Sequence, residues 1–145
     1  MIEPKADAAF ASQPGYLLRR AASVMMAEFA SRFAPLDLKI SEVTVLLAAA
    51  SGKDLTSSDI GNAIDIKRAN MPKLLDRLEE QGLIRREPLD GRSMAIRVTD
   101  KGEERLRPAR KVIAQFEADL VAAVPARHRA HLLPALEALR NYKPA

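Results

Sequence analysis

A short segment near the middle of the chain carries cations and an amide at spacings that suit nucleic-acid binding. Its polar side chains are Lys67, Arg68, Asn70, Lys73 and Arg77. Lysine and arginine neutralise phosphates, and asparagine can read the edge of an adenine in the major groove of DNA. The stretch 67–73 holds three cations and no acid. The segment therefore indicates contact with DNA, provided that one element presents these side chains together.

The element that must present them is predicted to be the second helix of a helix-turn-helix. Apolar residues recur at intervals of three and four within 68–81, which predicts a helix with one buried face. Those residues are Met71, Leu74, Leu75 and Leu78. Gly82 suits a left-handed residue just past the helix, and Leu83 can then fold back on Leu78. The cations are left on the opposite face, toward solvent.

A shorter helix is predicted just before it, up to about residue 64. Thr56 can cap its start, and Asp59 three residues later completes a capping box. Ser57 and Ser58 stand in its first turn. Two interpretations stay open for these serines: they donate to DNA phosphates, or they simply cap the helix.

A two-stranded hairpin is predicted after the second helix. Alternation within 93–98 predicts a half-buried strand that pairs with 83–87. Its expected buried face is Met94, Ile96 and Val98, and its expected open face is Ala95 and Arg97. Between the strands, Asp90-Gly91 is a strong turn dipeptide, so the tip projects and carries Arg92. A projecting basic hairpin suits the minor groove beside the helix, and the whole pattern is a winged helix-turn-helix.

The stretch 74–102 resembles the signature of the multiple antibiotic resistance regulator (MarR) family. The matching parts are DRLE in the recognition helix, GLIRR entering the wing, D-x-R at the wing tip and VTDKG after it. The resemblance implies a mainly α fold with a small hairpin (α+β), in which N- and C-terminal helices join an intertwined homodimer. It also implies a small aromatic or anionic effector bound between the dimer helices and the winged part. In the family's pattern, Asp90 supports Arg92, which makes the contact.

Pro72 departs from the family's pattern. Proline is harmless only in the first turn of a helix, because it lacks the N–H that later turns need. The recognition helix is therefore expected to begin nearer Ala69 or Asn70. Lys67 and Arg68 would then lie on the preceding turn.

Alternatives also stay open for the other cations. Arg77 is predicted to contact DNA, with Asp76 or Glu80 as competing partners. Arg85 and Arg86 stand at the base of the wing, and one of them is expected to face DNA; Arg86 is the candidate.

Longer helices are predicted on both sides of the winged unit. Apolar residues at helical spacing indicate a helix over 14–34 and two more within 100–142. Pro108 and Pro134 are expected to kink the last two. Ser41 is expected to cap the helix that precedes the helix-turn-helix.

The chain is thus predicted to be one domain over 1–145 with a winged helix-turn-helix DNA-binding subdomain over 38–99. The helices of 14–34 and 100–142 are more apolar than this subdomain needs, so we expect them to form a dimer. A two-fold dimer places two recognition helices about 34 Å apart on DNA and requires a palindromic operator. Residues 1–13 are expected to be a loose arm.

Composition sets the outer limits. The 145 residues are 48% hydrophobic and carry a formal net charge of +4. They include no cysteine, which fits a reducing, bacterial-type cytoplasm. A DNA-binding protein in that compartment is expected to associate with the nucleoid. No signal peptide or apolar span for a membrane is evident. Residues 53–101 hold 10 Lys/Arg and 9 Asp/Glu, a net charge of +1. The DNA hypothesis therefore depends on where the cations sit and not on their sum.

Other functions find weaker support. Tyr16, Arg20 and Met25 are candidates for a ligand site in which arginine holds a carboxylate; the alternative is a surface or dimer-interface charge. His128 and His131 share a helix face, but a metal site needs more ligands, so solvated histidines are the better interpretation and no metal or cofactor is expected. No nucleophile motif or phosphate-cradling glycine loop indicates an enzyme. The remaining alternative is a winged protein-interaction module that has lost DNA binding.

Overall fold

Helices and one hairpin follow each other in the predicted order. The computed structural model describes residues 7–64 and 66–145. In chain order the helices are α1 (Asp7–Phe10), α2 (Pro14–Phe33), α3 (Ile40–Ala49), α4 (Ser57–Ala63), α5 (Met71–Glu80), α6 (Asp100–Ala123) and α7 (Arg129–Arg140). Strands β1 (Ile84–Pro88) and β2 (Met94–Val98) pair antiparallel between α5 and α6. The predicted mainly α fold with a hairpin wing is confirmed.

The core lies where α3, α4, α5 and the start of α6 meet the hairpin. Its fully buried side chains include Leu46, Ile60, Leu78, Ile96 and Leu106. Burying one such side chain contributes about 1.5–3 kcal/mol. The core packs against one face of α5 and so fixes the orientation of the opposite, solvent-facing side of this helix.

The predicted end signals of α4 and α5 are confirmed. The Thr56 N–H donates to Asp59 Oδ2 at 2.9 Å, and the Asp59 N–H donates to Thr56 Oγ1 at 3.3 Å, which is a capping box. After α5, Gly82 takes a left-handed φ of 72° and the Leu83 N–H donates to the Leu78 carbonyl at 3.0 Å. That bond closes a Schellman stop, so α5 ends abruptly where the hairpin begins.

The prediction that Ser41 caps α3 is wrong. The N-cap residue is Lys39, two positions before Ser41, and the helix begins at Ile40. Glu42 accepts from the Lys39 N–H at 3.2 Å and so satisfies a donor that would otherwise be left open at the helix start. With this bond made by Glu42, the Ser41 side chain is not needed as a cap.

The predicted faces of β2 are partly wrong. Ala95, expected on the open face, is fully buried, whereas Met94, expected in the core, is 38% exposed. Met94 pairs with Pro88 at the tip end of the hairpin, beyond the reach of the core. Ala95 is opposite Glu87, on the face where Glu87 and Arg97 form an ion pair.

The start of α6 packs directly against the hairpin. Thr99 caps this helix, since its Oγ1 accepts from the Gly102 N–H at 3.0 Å, and its hydroxyl donates to the Gly82 carbonyl at 2.6 Å. A Cβ added to Gly102 would lie 2.2 Å from the Leu83 carbonyl oxygen. Gly102 is therefore required by a close backbone approach, which gives a physical reason for the glycine of the VTDKG motif.

The terminal helices differ from this core. Helix α7 buries no residue, and Phe33 is the buried residue of α2. Large apolar side chains that remain exposed on α2, α6 and α7 include Leu17, Leu18, Met26, Val121, Leu133 and Leu139. Neither Pro108 nor Pro134 ends its helix. Across the described residues, no helix combines the length and apolar character needed to cross a bilayer.

The N-terminal arm is partly a helix. Residues 7–10 form α1, which corrects the expectation of a loose arm over 1–13, and residues 1–6 lie outside the described part of the chain. The Tyr16 hydroxyl donates to Asp7, and the Phe10 and Tyr16 rings are 5.3 Å apart. These contacts hold α1 against the start of α2.

Candidate nucleic-acid interface

The recognition helix begins as Pro72 requires. A 3-10 turn spans Arg68–Asn70, and α5 follows from Met71 with Pro72 in its first turn. The expected shift of the helix start is thus confirmed, and Lys67 and Arg68 lie on the turn.

The outward side of this turn and of the first part of α5 carries polar side chains that have no acidic partner among residues 7–64 and 66–145. Lys67, Arg68, Asn70 and Lys73 are all exposed. None of the three cations forms an ion pair with any residue of 7–64 or 66–145. Met71, Leu74, Leu75 and Leu78 are buried on the other side. The helix and its preceding turn therefore present to solvent three cations that no acid of the described residues neutralises, and one amide.

Arg77, further along α5, is held by an acid of another helix. Its Nη2 lies 2.7 Å from Glu42 Oε1, and the Glu42 residue is only 8% exposed. The sequence suggested Asp76 or Glu80 as partners, and the structure gives Glu42 instead. This buried carboxylate ties α5 to α3, so Arg77 serves first to fix the recognition helix.

Arg86 is likewise occupied. Its Nη2 lies 2.7 Å from Asp76 Oδ1 and its Nε 3.3 Å from Glu79 Oε2. It shares a hairpin face with Ile84 and Ile96, which turns it toward α5. The choice of Arg86 as the wing-base contact with DNA stays a prediction, and in this structure the charge of Arg86 is met by two acids of α5.

Arg97 braces the face of the hairpin that also carries Ala95 and Glu87. Its guanidinium pairs with Asp54, lies 3.0 Å from Glu87 Oε2 and donates to the Lys53 carbonyl at 3.2 Å. Hydrogen bonds from Arg97, and then from Arg85, hold the pKa of the Glu87 carboxyl below its ordinary value. The Ile96 N–H adds a bond to the Leu55 carbonyl at 2.9 Å. The hairpin is therefore anchored to the segment before α4.

The wing tip projects as predicted. Gly91 has a φ of 72°, and the Leu89 N–H donates to the Ser93 carbonyl at 2.8 Å to close the turn. Arg92 is exposed, and it is in no ion pair within the described ranges. Asp90 and Arg92 form no hydrogen bond or ion pair with each other in the described part of the chain, so the support of Arg92 by Asp90 stays a prediction. Arg92 is positioned by the turn itself.

The serines of α4 are not its cap. Thr56 takes that role, which leaves the hydroxyls of Ser57 and Ser58 without a hydrogen bond to the part of the chain that is described. Ser58 is exposed and Ser57 is half-buried. Between the two interpretations from sequence, simple capping is excluded for this helix.

The candidate ligand residues do not form one site. The Tyr16 hydroxyl donates a hydrogen bond to Asp7, and Arg20 Nε lies 4.0 Å from Asp7 Oδ1. Hydrogen bonding to Asp7 raises the pKa of the Tyr16 hydroxyl above its ordinary value. Arg20 and Met25 line a cleft of about 650 Å³ between α2 and α6, and Tyr16 is not among its lining residues. The predicted trio is thus split.

The histidines gain no metal-binding partners from the fold. Nowhere in the described ranges do three or more His, Cys, Asp and Glu side chains gather as a metal site would require. His128 Nε2 instead accepts from the neighbouring Arg127 at 2.9 Å.

Comparison with known proteins points the same way. The profile of the MarR family matches residues 36–93. An uncharacterized HTH-type transcriptional regulator of Bacillus subtilis, YdgJ, is 30% identical over 103 residues, which are 70% of this chain and 63% of that protein. The chain thus spans less than two thirds of the length of this relative.

Solved structures match over a larger share. The transcriptional repressor CouR, bound to a 23-mer DNA duplex, is 30% identical with a TM-score of 0.81, over 97% of this chain and all of that one (100%). A MarR family protein of Mycobacterium tuberculosis in complex with p-aminosalicylic acid is 25% identical with a TM-score of 0.73, over 90% of this chain and 100% of that one. Together with the hairpin wing beside α5, these similarities establish that the chain belongs to the MarR family of winged helix-turn-helix transcriptional regulators.

Proposed function

We propose that the protein is a sequence-specific DNA-binding regulator that acts as a homodimer on a palindromic operator, most simply as a ligand-responsive repressor. The observation that carries the proposal is the outward side of α5 and its preceding turn. Its cations have no acidic partner in the described ranges, although nearly as many acids as cations lie in the surrounding segment. Unneutralised cations on a projecting helix are suited to phosphates.

Each exposed group has a role in this proposal. Asn70 immediately precedes α5 and Lys73 lies in its first turn, at the end of a recognition helix that reaches base edges, so we assign both to base reading. Lys67 and Arg68 on the turn, with Ser57 and Ser58 on α4, contact phosphates. Arg92 on the wing tip enters the minor groove. Arg77 and Arg86 are left out, because their charges are paired with acids.

The homodimer is supported by the terminal helices. Leu133 and Leu139 of α7 are 67% and 54% exposed, and Met26 of α2 is 53% exposed, so no described residue covers them. Such a large exposed apolar surface is unusual for a monomer. A second copy of the chain that covers these side chains would also place two recognition helices on one side of the duplex.

Ligand response is proposed from similarity. The M. tuberculosis relative binds p-aminosalicylic acid, a small aromatic acid. We expect this protein to respond to a small aromatic or anionic effector between the dimer helices and the winged subdomain, through a difference in affinity between two dimer geometries. A regulator of this kind acts on the chromosome, so we expect it in the cytoplasm, at the nucleoid.

Selection of bound sequences from a random DNA pool tests the proposal. The expected result is an inverted repeat whose half-site centres are about one helical turn, 10–10.5 base pairs, apart. Absence of any retained DNA at low salt would contradict the proposal and favour a protein-interaction module. A variant that combines Asn70→Ala and Lys73→Ala should no longer bind the selected DNA sequence in preference to other DNA, and it should keep its fold.

A further inference from the structure

We propose that the groove between the start of α3 and the start of α5 seats the phosphates of one DNA strand, and that Lys39 and Ser41 of α3 bind to those phosphates. This inference rests on the proposed function and deepens it. The sequence analysis did not identify Lys39 or Ser41 as DNA-binding residues, and it expected Ser41 only to cap α3.

The charge of the groove points to a polyanion. It has a volume of about 540 Å³, and its polar lining consists of Lys39, Ser41, Lys67, Asn70, Lys73 and Arg77. Four of these are cations, of which Arg77 is paired with Glu42, and no lining residue is an acid. The larger cleft on the other side of Lys39, about 1130 Å³, is different, since Asp37, Glu42 and Glu104 line it beside its cations. Positive charge is therefore concentrated on the side that faces the recognition helix.

Lys39 is placed to contribute its charge to an external partner. Its side chain is exposed and is absent from the ion pairs of the described residues. The nearby acid, Glu42, accepts from the Lys39 backbone N–H and pairs with Arg77, so its two oxygens are already engaged. The Lys39 ammonium is thus left for a ligand. The half-buried Ser41 hydroxyl has no bond to the described residues and can donate to a phosphate oxygen.

The position of these groups favours phosphates over bases. In a helix-turn-helix complex the recognition helix lies in the major groove, while neighbouring elements cross the sugar-phosphate backbone at its edge. Lys39 and Ser41 belong to the start of α3, which is tied to α5 by the Glu42–Arg77 pair at 2.7 Å. They therefore flank Asn70 and Lys73 and have a fixed relation to them. Bonds of this kind to the backbone set the register of the protein on DNA and are independent of sequence.

The test is the salt dependence of binding, measured by fluorescence anisotropy on the selected operator and on an unrelated duplex of equal length. Removal of one phosphate-binding cation per chain should reduce the slope of log K against log salt by about 0.9 per chain. We expect Lys39→Ala to show this change on both duplexes, and Lys39→Arg to keep the wild-type slope. Ser41→Ala should weaken binding to both duplexes by the same factor.

Lys111→Ala is the matched control, since it removes an exposed lysine of α6 that is outside the ion pairs of the described chain. It should leave the slope unchanged. A wild-type protein without salt-dependent binding would overturn the proposed function itself. Wild-type binding with an unchanged slope for Lys39→Ala would overturn the groove proposal alone. So would weaker binding confined to the operator, because that result would make Lys39 a base-reading residue.

Discussion

The cations of the winged subdomain fall into two regions with different surroundings. In one, which we name the open edge, Lys67, Arg68, Lys73 and Arg92 are exposed and make no ion pair with the described residues. The other, which we name the braced base, holds Arg77, Arg86 and Arg97, each of which pairs with at least one acid. Both regions are rich in basic residues, but only in the braced base are the cations paired with acids of the described chain.

This difference explains why the near-zero net charge of residues 53–101 does not argue against DNA binding. Acids such as Asp54, Asp76 and Glu79 are used within the braced base. Exposed ion pairs of this kind contribute about 0–1 kcal/mol each to stability, so their main effect here is on geometry. They fix the angle between the hairpin and α5, and the open edge is aligned as a result.

The largest effect is expected when three of the four cations of the open edge are removed together. The combined variant Lys67→Ala, Lys73→Ala and Arg92→Ala should lose about 3 kcal/mol or more of operator affinity, roughly a hundredfold in Kd or more, because three cations that bind phosphates or a groove are absent. Its thermal unfolding should stay close to that of the wild type, since exposed side chains without partners contribute little. The converse variant, Arg86→Ala with Arg97→Ala, should lower the unfolding temperature. If both variants behaved alike, the division into two regions would be wrong.

Next in size is a change that separates the hairpin from α6. Gly102→Ala should destabilise the fold by about 1–3 kcal/mol, because its methyl group would overlap the Leu83 carbonyl oxygen. Gly15→Ala in α2 is the control, since a Cβ there meets no atom within 4 Å. Chemical denaturation of the two variants provides the measurement. Equal stability of both would show that the close approach at Gly102 is not real.

A smaller contrast lies within α4. Thr56→Ala should reduce the free energy of unfolding by about 1 kcal/mol, because the helix then has no cap. Ser58→Ala should leave stability within about 0.5 kcal/mol of wild type and weaken DNA binding instead. The two measurements, urea denaturation and operator titration, should therefore rank these variants in opposite orders. If Ser58→Ala lowered the free energy of unfolding as much as Thr56→Ala does, Ser58 would have a structural role instead.

The smallest effect is a dependence of stability on pH through the braced base. The pKa of Glu87 is lowered by Arg97 and Arg85, so the unfolded chain binds a proton more readily than the folded one. This stabilisation is complete above the ordinary pKa of 4.5 and is lost as the pH falls through the lower, folded value. Glu87→Gln should make the acid-side decline of the unfolding temperature shallower. Glu80→Gln, an exposed acid outside the described ion pairs, should not change it.

The sequence predicted those features that depend on local periodicity and on turn chemistry. The apolar spacing of 71–78, the capping box at Thr56 and the turn at Gly91 each act over a few residues, and each was found in place. Pro72 also indicated that α5 starts after Arg68, because its missing N–H acts on its own helix, although the start is at Met71 and not at Ala69 or Asn70.

Features that depend on tertiary packing were not predictable in the same way. Glu42 and Arg77 are 35 positions apart, and Arg86 meets Asp76 across 10 positions. These pairs form because the hairpin and α3 reach α5 at particular angles, which no periodicity specifies. For the same reason the sequence did not show that Arg77 and Arg86 are paired with acids, or that Lys39 and the recognition helix line the same groove.

Two arginines of one hairpin allow the most direct test of the open edge. Arg92 on the tip has no acidic partner in the described chain, whereas Arg85 near the base pairs with Glu87. In titrations of the selected operator at one salt concentration, Arg92→Ala should weaken binding by about 1–3 kcal/mol. Arg85→Ala should change it by less than about 0.5 kcal/mol. Equal effects from the two variants, or a larger effect from Arg85→Ala, would contradict the assignment of DNA binding to the unpaired cations.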